Sequence, residues 1–237
     1  MKDIDFPSSK GLLLYGPPGC SKTMIARAAA TESGYNFIAV KGAEVLNMYV
    51  GESERRIREY FNLAKAVSPS VLFFDEIDAI GTARDSGQHV GVNLVTTLLN
   101  EMGGIEELKD VFVLAATNRP DMIDKALTRP GRFDQSLYIG PPDLKARQQI
   151  FLKYLRKMDV AKDMDVTAMA EATDGYSGAE VVDICRRAFE AASDDSVAED
   201  EVLKIRPKHF KQAMKRRKKN ITADVLAYFE AYRAAEQ

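Results

Sequence analysis

The stretch that most constrains this chain is a short apolar run, Leu12–Tyr15, that ends in Gly16-Pro17-Pro18-Gly19-Cys20-Ser21-Lys22-Thr23 and passes into an alanine-rich helical segment, Met24–Ala30. A strand that empties through a Gly/Pro loop into a helix aims the unpaired N–H groups of the helix N-terminus beyond the strand end. Such a terminus attracts phosphate oxygens, a lysine adds a point charge, and the hydroxyl after it can ligand Mg²⁺. The usual spacing, GxxxxGK[ST], has glycine where this chain has Ser21. The alternative is a Gly/Pro turn that only caps a core helix.

The alternation of apolar runs and amphipathic stretches continues to Ile139. Asn36–Val40, Val71–Phe74, Val111–Ala116 and Gln135–Ile139 read as further strands, which predicts an α/β parallel sheet wrapped by helices. Gly140-Pro141-Pro142-Asp143 breaks the pattern, and the rest of the chain is helical in period. The expected division is a large α/β domain over 1–142 and a small all-helical domain over 143–237. From Ser177 to Ser193 the apolar positions Val181, Ile184, Cys185, Ala188, Phe189 and Ala192 follow one helical face, which makes Cys185 a core residue.

Two other strands deliver polar groups at their ends. Val71-Leu72-Phe73-Phe74 runs into Asp75-Glu76, and ligand sites in open α/β sheets lie at that edge. Asp75 is placed to hold a Mg²⁺ shell and Glu76 to polarise an attacking water; the competing reading is a pair of acids capping a helix. Ala115-Ala116-Thr117-Asn118 brings Asn118 to the same edge, where it can orient water or touch a γ-phosphate. In Asn118-Arg119-Pro120-Asp121, Pro120 and the missing lysine count against a guanine-reading loop. Further on, Pro130-Gly131 fixes two arginines, Arg129 and Arg132, which can stabilise transition-state charge or form surface ion pairs.

Composition closes other routes. With 33 Lys plus Arg against 35 Asp plus Glu, net charge argues neither for nucleic acid nor for a membrane surface. Cys20 and Cys185 lie far apart and only His89 and His209 join them, so a zinc site is not expected and a reducing, intracellular setting is. Cys20 reads as a small residue that fits its loop or as a thiol activated by a helix N-terminus, and His89 as a solvated loop histidine.

Together GPPGCSKT, FFDEID, AATNRPD and ALTRPGRFD resemble the AAA ATPases, from about Gly11 to the C-terminus. The resemblance implies a P-loop NTPase sheet of AAA+ type with a helical lid, acting as an ATPase on ATP with Mg²⁺. In it Gly16, Pro17, Pro18, Gly19, Cys20, Ser21, Lys22, Thr23 and Met24 hold nucleotide, with Lys22 and Thr23 in Walker A. Asp75 and Glu76 form Walker B, Thr23 and Asp75 hold Mg²⁺, and Asn118 is sensor 1. Arg129 and Arg132 are arginine fingers acting on a neighbour's nucleotide, which implies a homo-hexamer. Tyr176-Ser177-Gly178-Ala179-Glu180 matches the sensor 2 variant in which Gly178 and Ala179 lie by the nucleotide.

Met48, Tyr49 and Val50 can be a helix-end core contact or an exposed grip. By the resemblance they form a first pore loop that holds an extended polypeptide substrate, with 84–89 as the second. Cys20-Ser21 and YSGAEVVDICRRA are similar to the second ATPase domain of two-ring proteins akin to valosin-containing protein. The branch implied is the one of large-ribosomal-subunit maturation and the spermatogenesis-associated ATPases, which release a shuttling assembly factor from pre-60S particles; the address implied is intracellular, cytoplasmic or also nuclear. The alternatives are a general segregase, a nucleotide-binding scaffold without turnover and a nucleic-acid-stimulated ATPase. Only fifteen residues precede Gly16, where the family has a helix and an adenine-covering loop, so a piece of a longer protein is expected. Gly103-Gly104-Ile105 stands where the family has an Asp-Gly contact between subunits. Five acids in 194–201 precede nine basic residues in 204–219, a run that reads as a solvated helix face in preference to an RNA contact. No membrane partner is expected.

Overall fold

The five apolar runs form one parallel sheet in a computed structural model that describes residues 11–46, 51–82, 89–103, 108–199, 203–217 and 219–236, with backbone alone for 81–82, 89–93, 197–199 and 236. The strands are β1 (Gly11–Tyr15), β2 (Asn36–Lys41), β3 (Ser70–Asp75), β4 (Val111–Thr117) and β5 (Gln135–Tyr138), in spatial order β2-β3-β4-β1-β5. Between them run α1 (Lys22–Glu32), α2 (Gly42–Leu46), α3 (Glu52–Ala66), α4 (Asp78–Thr82) and α5 (His89–Gly103), with a 3₁₀ turn at Pro120–Met122. Parallel strands need such crossovers, and helices on the sheet explain why β3 and β4 are apolar almost throughout.

Side chains alternate between two cores with the period of a strand. Leu13, Leu72, Phe74, Val113 and Ala115 join Ile57 and Phe61 of α3 and Leu94, Leu98 and Met102 of α5. The intervening Leu14, Val71, Phe73, Leu114 and Ala116 join Ala26 and Ala30 of α1.

After β5 come α6 (Leu144–Leu155), α7 (Val166–Ala172), α8 (Gly178–Glu199), α9 (Pro207–Arg216) and α10 (Ala223–Glu236). Asp143 caps α6 by accepting from Ala146 N at 2.7 Å, and Asp165 caps α7 through Thr167 N and Ala168 N. Phe151, Val181, Ile184, Cys185, Ala188, Ala192 and Phe210 share the helical core, and burial pushes the Cys185 thiol up to about 12. Phe189 departs from the expected face and is exposed. At ~100° per residue it lies about 80° from Val181, at the margin of an apolar stripe little wider than that.

The chain divides into two compact units, one holding the chain up to Gly16 with Lys22–Ile139, the other Pro17–Ser21 with Gly140–Gln237. The five loop residues thus group with the helices, whereas the sequence pattern places them with the sheet. Within that second unit Ala179 N donates to Gly19 O at 3.1 Å. No helix among the described residues is long and apolar enough to cross a membrane.

Candidate active site

Because every strand pair is parallel, the C-terminal ends of β1, β3 and β4 meet at one edge, with Tyr15 opposite Thr117 and Phe74 opposite Ala115. That register places Gly16, Asp75, Glu76 and Asn118 together. Lys22, buried at the start of α1, donates from Nζ to Gly16 O at 2.8 Å and to Asn118 Oδ1 at 2.7 Å. Thr23, one residue on, donates from Oγ1 to Asp75 Oδ2 at 2.7 Å. Gly16 has φ 148°, and a Cβ there would stand 2.1 Å from Ile139 O, so only glycine lets the chain leave β1 against β5's end.

Ser21 answers the missing glycine of the motif. Its φ is 70°, the left-handed region that favours glycine, so the position keeps the conformation while the residue departs from the pattern. Cys20 is buried with Sγ 3.9 Å from Pro18 O, which fits the reading of a small residue filling its place.

The acids at the end of β3 do not act as a helix cap pair. Asp75 accepts from Thr23 and, at 3.1 Å, from Glu76 N, while the Glu76 side chain is exposed. Asp121 pairs with Arg119 at 2.9 Å and is not presented as a base-reading acid. The two arginines differ: Arg129 is exposed, whereas Arg132, half-buried, donates to Ala126 O. Met24 is exposed on α1. Met48, Tyr49, Val50, the segment 84–88 and Gly104 lie outside the described residues, as does the side chain of His89.

In the helical unit the Gly178-Ala179 pair is held by a carboxylate that the motif reading passed over. Glu180, 1% exposed, accepts from Ser177 N and Ser177 Oγ, both at 2.8 Å, and from Asn220 N at 2.8 Å. Ser177-x-x-Glu180 is a capping box legible in the sequence. Arg147, 4% exposed, has no such local signal: it donates to Ala170 O, Pro142 O and Asp174 Oδ1, partners that only the fold assembles. The acidic and basic blocks meet, Asp195 pairing with Lys208 at 2.6 Å and with His209 at 3.0 Å, while Lys211, Lys215 and Arg216 are exposed.

A phosphate-loop lysine, a hydroxyl on a strand-end carboxylate and an asparagine at the next strand end define a P-loop ATPase, and the chain belongs to the ATPase family associated with various cellular activities (AAA), whose profile matches residues 12–141. The profile of the AAA+ lid domain matches residues 163–206. The chain is similar to the ATPase family gene 2 protein of Saccharomyces cerevisiae, 52% identical over 97% of this chain and 29% of that protein. It is 49% identical to the human ATPase family gene 2 protein homolog A, over 94% of this chain and 25% of that protein. It is 46% identical to the cell division cycle protein 48 homolog of Archaeoglobus fulgidus, over 93% of this chain and 32% of that protein. The chain therefore spans a quarter to a third of the length of these relatives, and it is an ATPase domain of their type.

Proposed function

We propose that this chain is the motor domain of a hexameric remodelling ATPase that uses Mg-ATP to draw polypeptide through a central pore. The observation that carries the ATP site is the pair of bonds Lys22–Asn118 and Thr23–Asp75, which tie the start of α1 to the ends of β4 and β3. Lys22 and the loop before it hold the phosphates, and Asn118 orients the Lys22 ammonium or the attacking water. Glu76, exposed at the same edge, takes the proton of that water.

The Thr23 hydroxyl and Asp75 carboxylate, 2.7 Å apart, are hard oxygen donors suited to Mg²⁺, which takes its remaining ligands from phosphate and water. When bound, the ion offsets charge on the phosphate oxygens. Arg129, exposed beside the Pro130-Gly131 turn, serves a neighbouring subunit's nucleotide, and Arg132 braces that loop from within through Ala126 O. Release of an assembly factor from pre-60S particles is the process proposed for the whole protein. It is supported by the resemblance of residues 20–21 and 176–188 and by the relatives named ATPase family gene 2.

Two substitutions test the two halves of this reading. Lys22→Ala should abolish binding of fluorescent ADP; binding at parental affinity rejects the phosphate site. Tyr49→Ala should spare basal ATP turnover and remove unfolding of a tagged polypeptide by the assembled protein; retained unfolding rejects the pore assignment.

A further inference from the structure

Glu76 occupies the first position past β3 with φ 53°, a left-handed conformation that a residue with a Cβ holds only where its surroundings over-determine it. Four contacts do so. Ile77 N donates to Ala116 O at 3.0 Å and ties the turn to β4. One residue on, the Thr117 hydroxyl donates to Asp78 Oδ1 at 2.7 Å while accepting from Arg119 N at 2.9 Å. Thr117 is 1% exposed; its one hydrogen goes to the Asp78 oxygen, which accepts, and a lone pair is left for Arg119 N. On the other side the Glu76 carbonyl accepts from Ala79 N at 3.0 Å and lies against the buried Gly42 at the start of α2. A Cβ on Gly42 would stand 2.4 Å from Glu76 O and 3.2 Å from its carbonyl carbon, so a side chain there must displace the turn.

The exposed Glu76 carboxylate therefore owes its place to its backbone. A general base must sit within hydrogen-bond reach of the proton it takes, and a 1 Å misplacement can cost on the order of 100-fold in rate. The end of β4 also holds the other side of the site, since Asn118, next to Thr117, accepts from Lys22 at 2.7 Å.

We propose that Thr117 and Gly42 are positioning residues for Glu76: the Thr117 hydroxyl, through Asp78, and the bare Cα of Gly42, against the Glu76 carbonyl, hold the turn that aims the carboxylate. This rests on the reading of Glu76 as the group that takes the proton of the attacking water. Thr117 is 1% exposed and Gly42 is buried, so both should act on turnover and leave affinity alone.

The test measures kcat at saturating ATP and the Kd of fluorescent ADP for the full chain carrying Thr117→Val, Thr117→Ser or Gly42→Ala. Thr117→Val and Gly42→Ala should each lower kcat about tenfold or more with Kd within about twofold, and Thr117→Ser, which keeps the hydroxyl, should recover most of the loss. In a Glu76→Gln background Thr117→Val should cost nothing further, because the group it positions is gone. Parental kcat in soluble Thr117→Val or Gly42→Ala overturns the proposal, as does an undiminished loss in the Glu76→Gln background. If Thr117→Val does not fold, Gly42→Ala carries the decision. Parental turnover by Glu76→Gln alone rejects the role of Glu76 itself, a result separate from any failure of Thr117 or Gly42.

Discussion

Two glutamates mark the contrast between the sheet edge and the helical unit. Glu76 ends up exposed on a strained turn, with its backbone held by β4 and α2. Glu180 is buried, and its two carboxylate oxygens take Ser177 N, Ser177 Oγ and Asn220 N. A carboxylate with its lone pairs committed to buried donors is architecture, since removing it strands those donors. One kept accessible while its backbone is fixed presents its oxygens to a water. The role of an acid in this fold thus follows from where its acceptor capacity is spent, not from its proximity to a glycine-rich motif.

Neutralising each carboxylate in turn separates the two roles. Glu76→Gln should cut ATP turnover by about 100-fold or more with an unchanged melting midpoint and retained ADP binding. Glu180→Ala should instead lower stability by about 3 kcal/mol, read as a fall in chemical denaturation midpoint, with turnover per folded molecule reduced far less than by Glu76→Gln. If Glu76→Gln melts early or Glu180→Ala leaves stability intact, the division of labour fails.

Asp195 is an intermediate case, an ion-paired carboxylate linking α8 to α9. The hydrogen bond from Lys208 first, then that from His209, holds its carboxyl below the usual 3.8. Because the folded value is depressed, the stabilisation is present above 3.8 and is lost as pH falls through the lower folded value. Asp195→Asn should therefore flatten the acid limb of a melting profile taken from about pH 5 to pH 2. An unaltered limb assigns acid sensitivity to other carboxylates.

The smallest effect is expected at Ser21, which shares the left-handed backbone of Glu76 without its proposed part in catalysis. Ser21→Gly removes a penalty of about 1–2 kcal/mol and returns some of it as unfolded-chain entropy, for a net gain of up to about 1 kcal/mol. ADP affinity should not change. A loss of stability would show that the Ser21 side chain compensates for its backbone.

Much of this was legible in the letters. The strands fall on the five apolar runs, β1, β2 and β4 each extending by one residue, β3 by one at either end and β5 stopping short of Ile139, because buried parallel strands leave little choice of residue. The Ser177–Glu180 capping box was equally available, as both partners lie within one helical turn. Phe189 misled because a face drawn from periodicity has no sharp margin, and only packing shows where the stripe ends. Arg147 and Gly42 carry no local mark at all. An arginine reads as surface and a glycine after a strand as a turn until the residues they meet are known.

The amino-acid order alone settles the set of chemical groups and their attachment to strand ends: Lys22 and Thr23 after β1, Asp75 and Glu76 after β3, and Asn118 after β4. The strand order β2-β3-β4-β1-β5, which sets β1 beside β4 and so brings Lys22 to Asn118 across 96 positions, belongs to the tertiary structure. Crossover connections leave several strand orders open to the same local pattern, and it is the packing of α1 on one face and α3 and α5 on the other that selects among them. The same packing sets Gly42 against Glu76 and the Thr117 hydroxyl against Asp78. Those contacts join residues remote in the chain, and a local pattern holds no record of them.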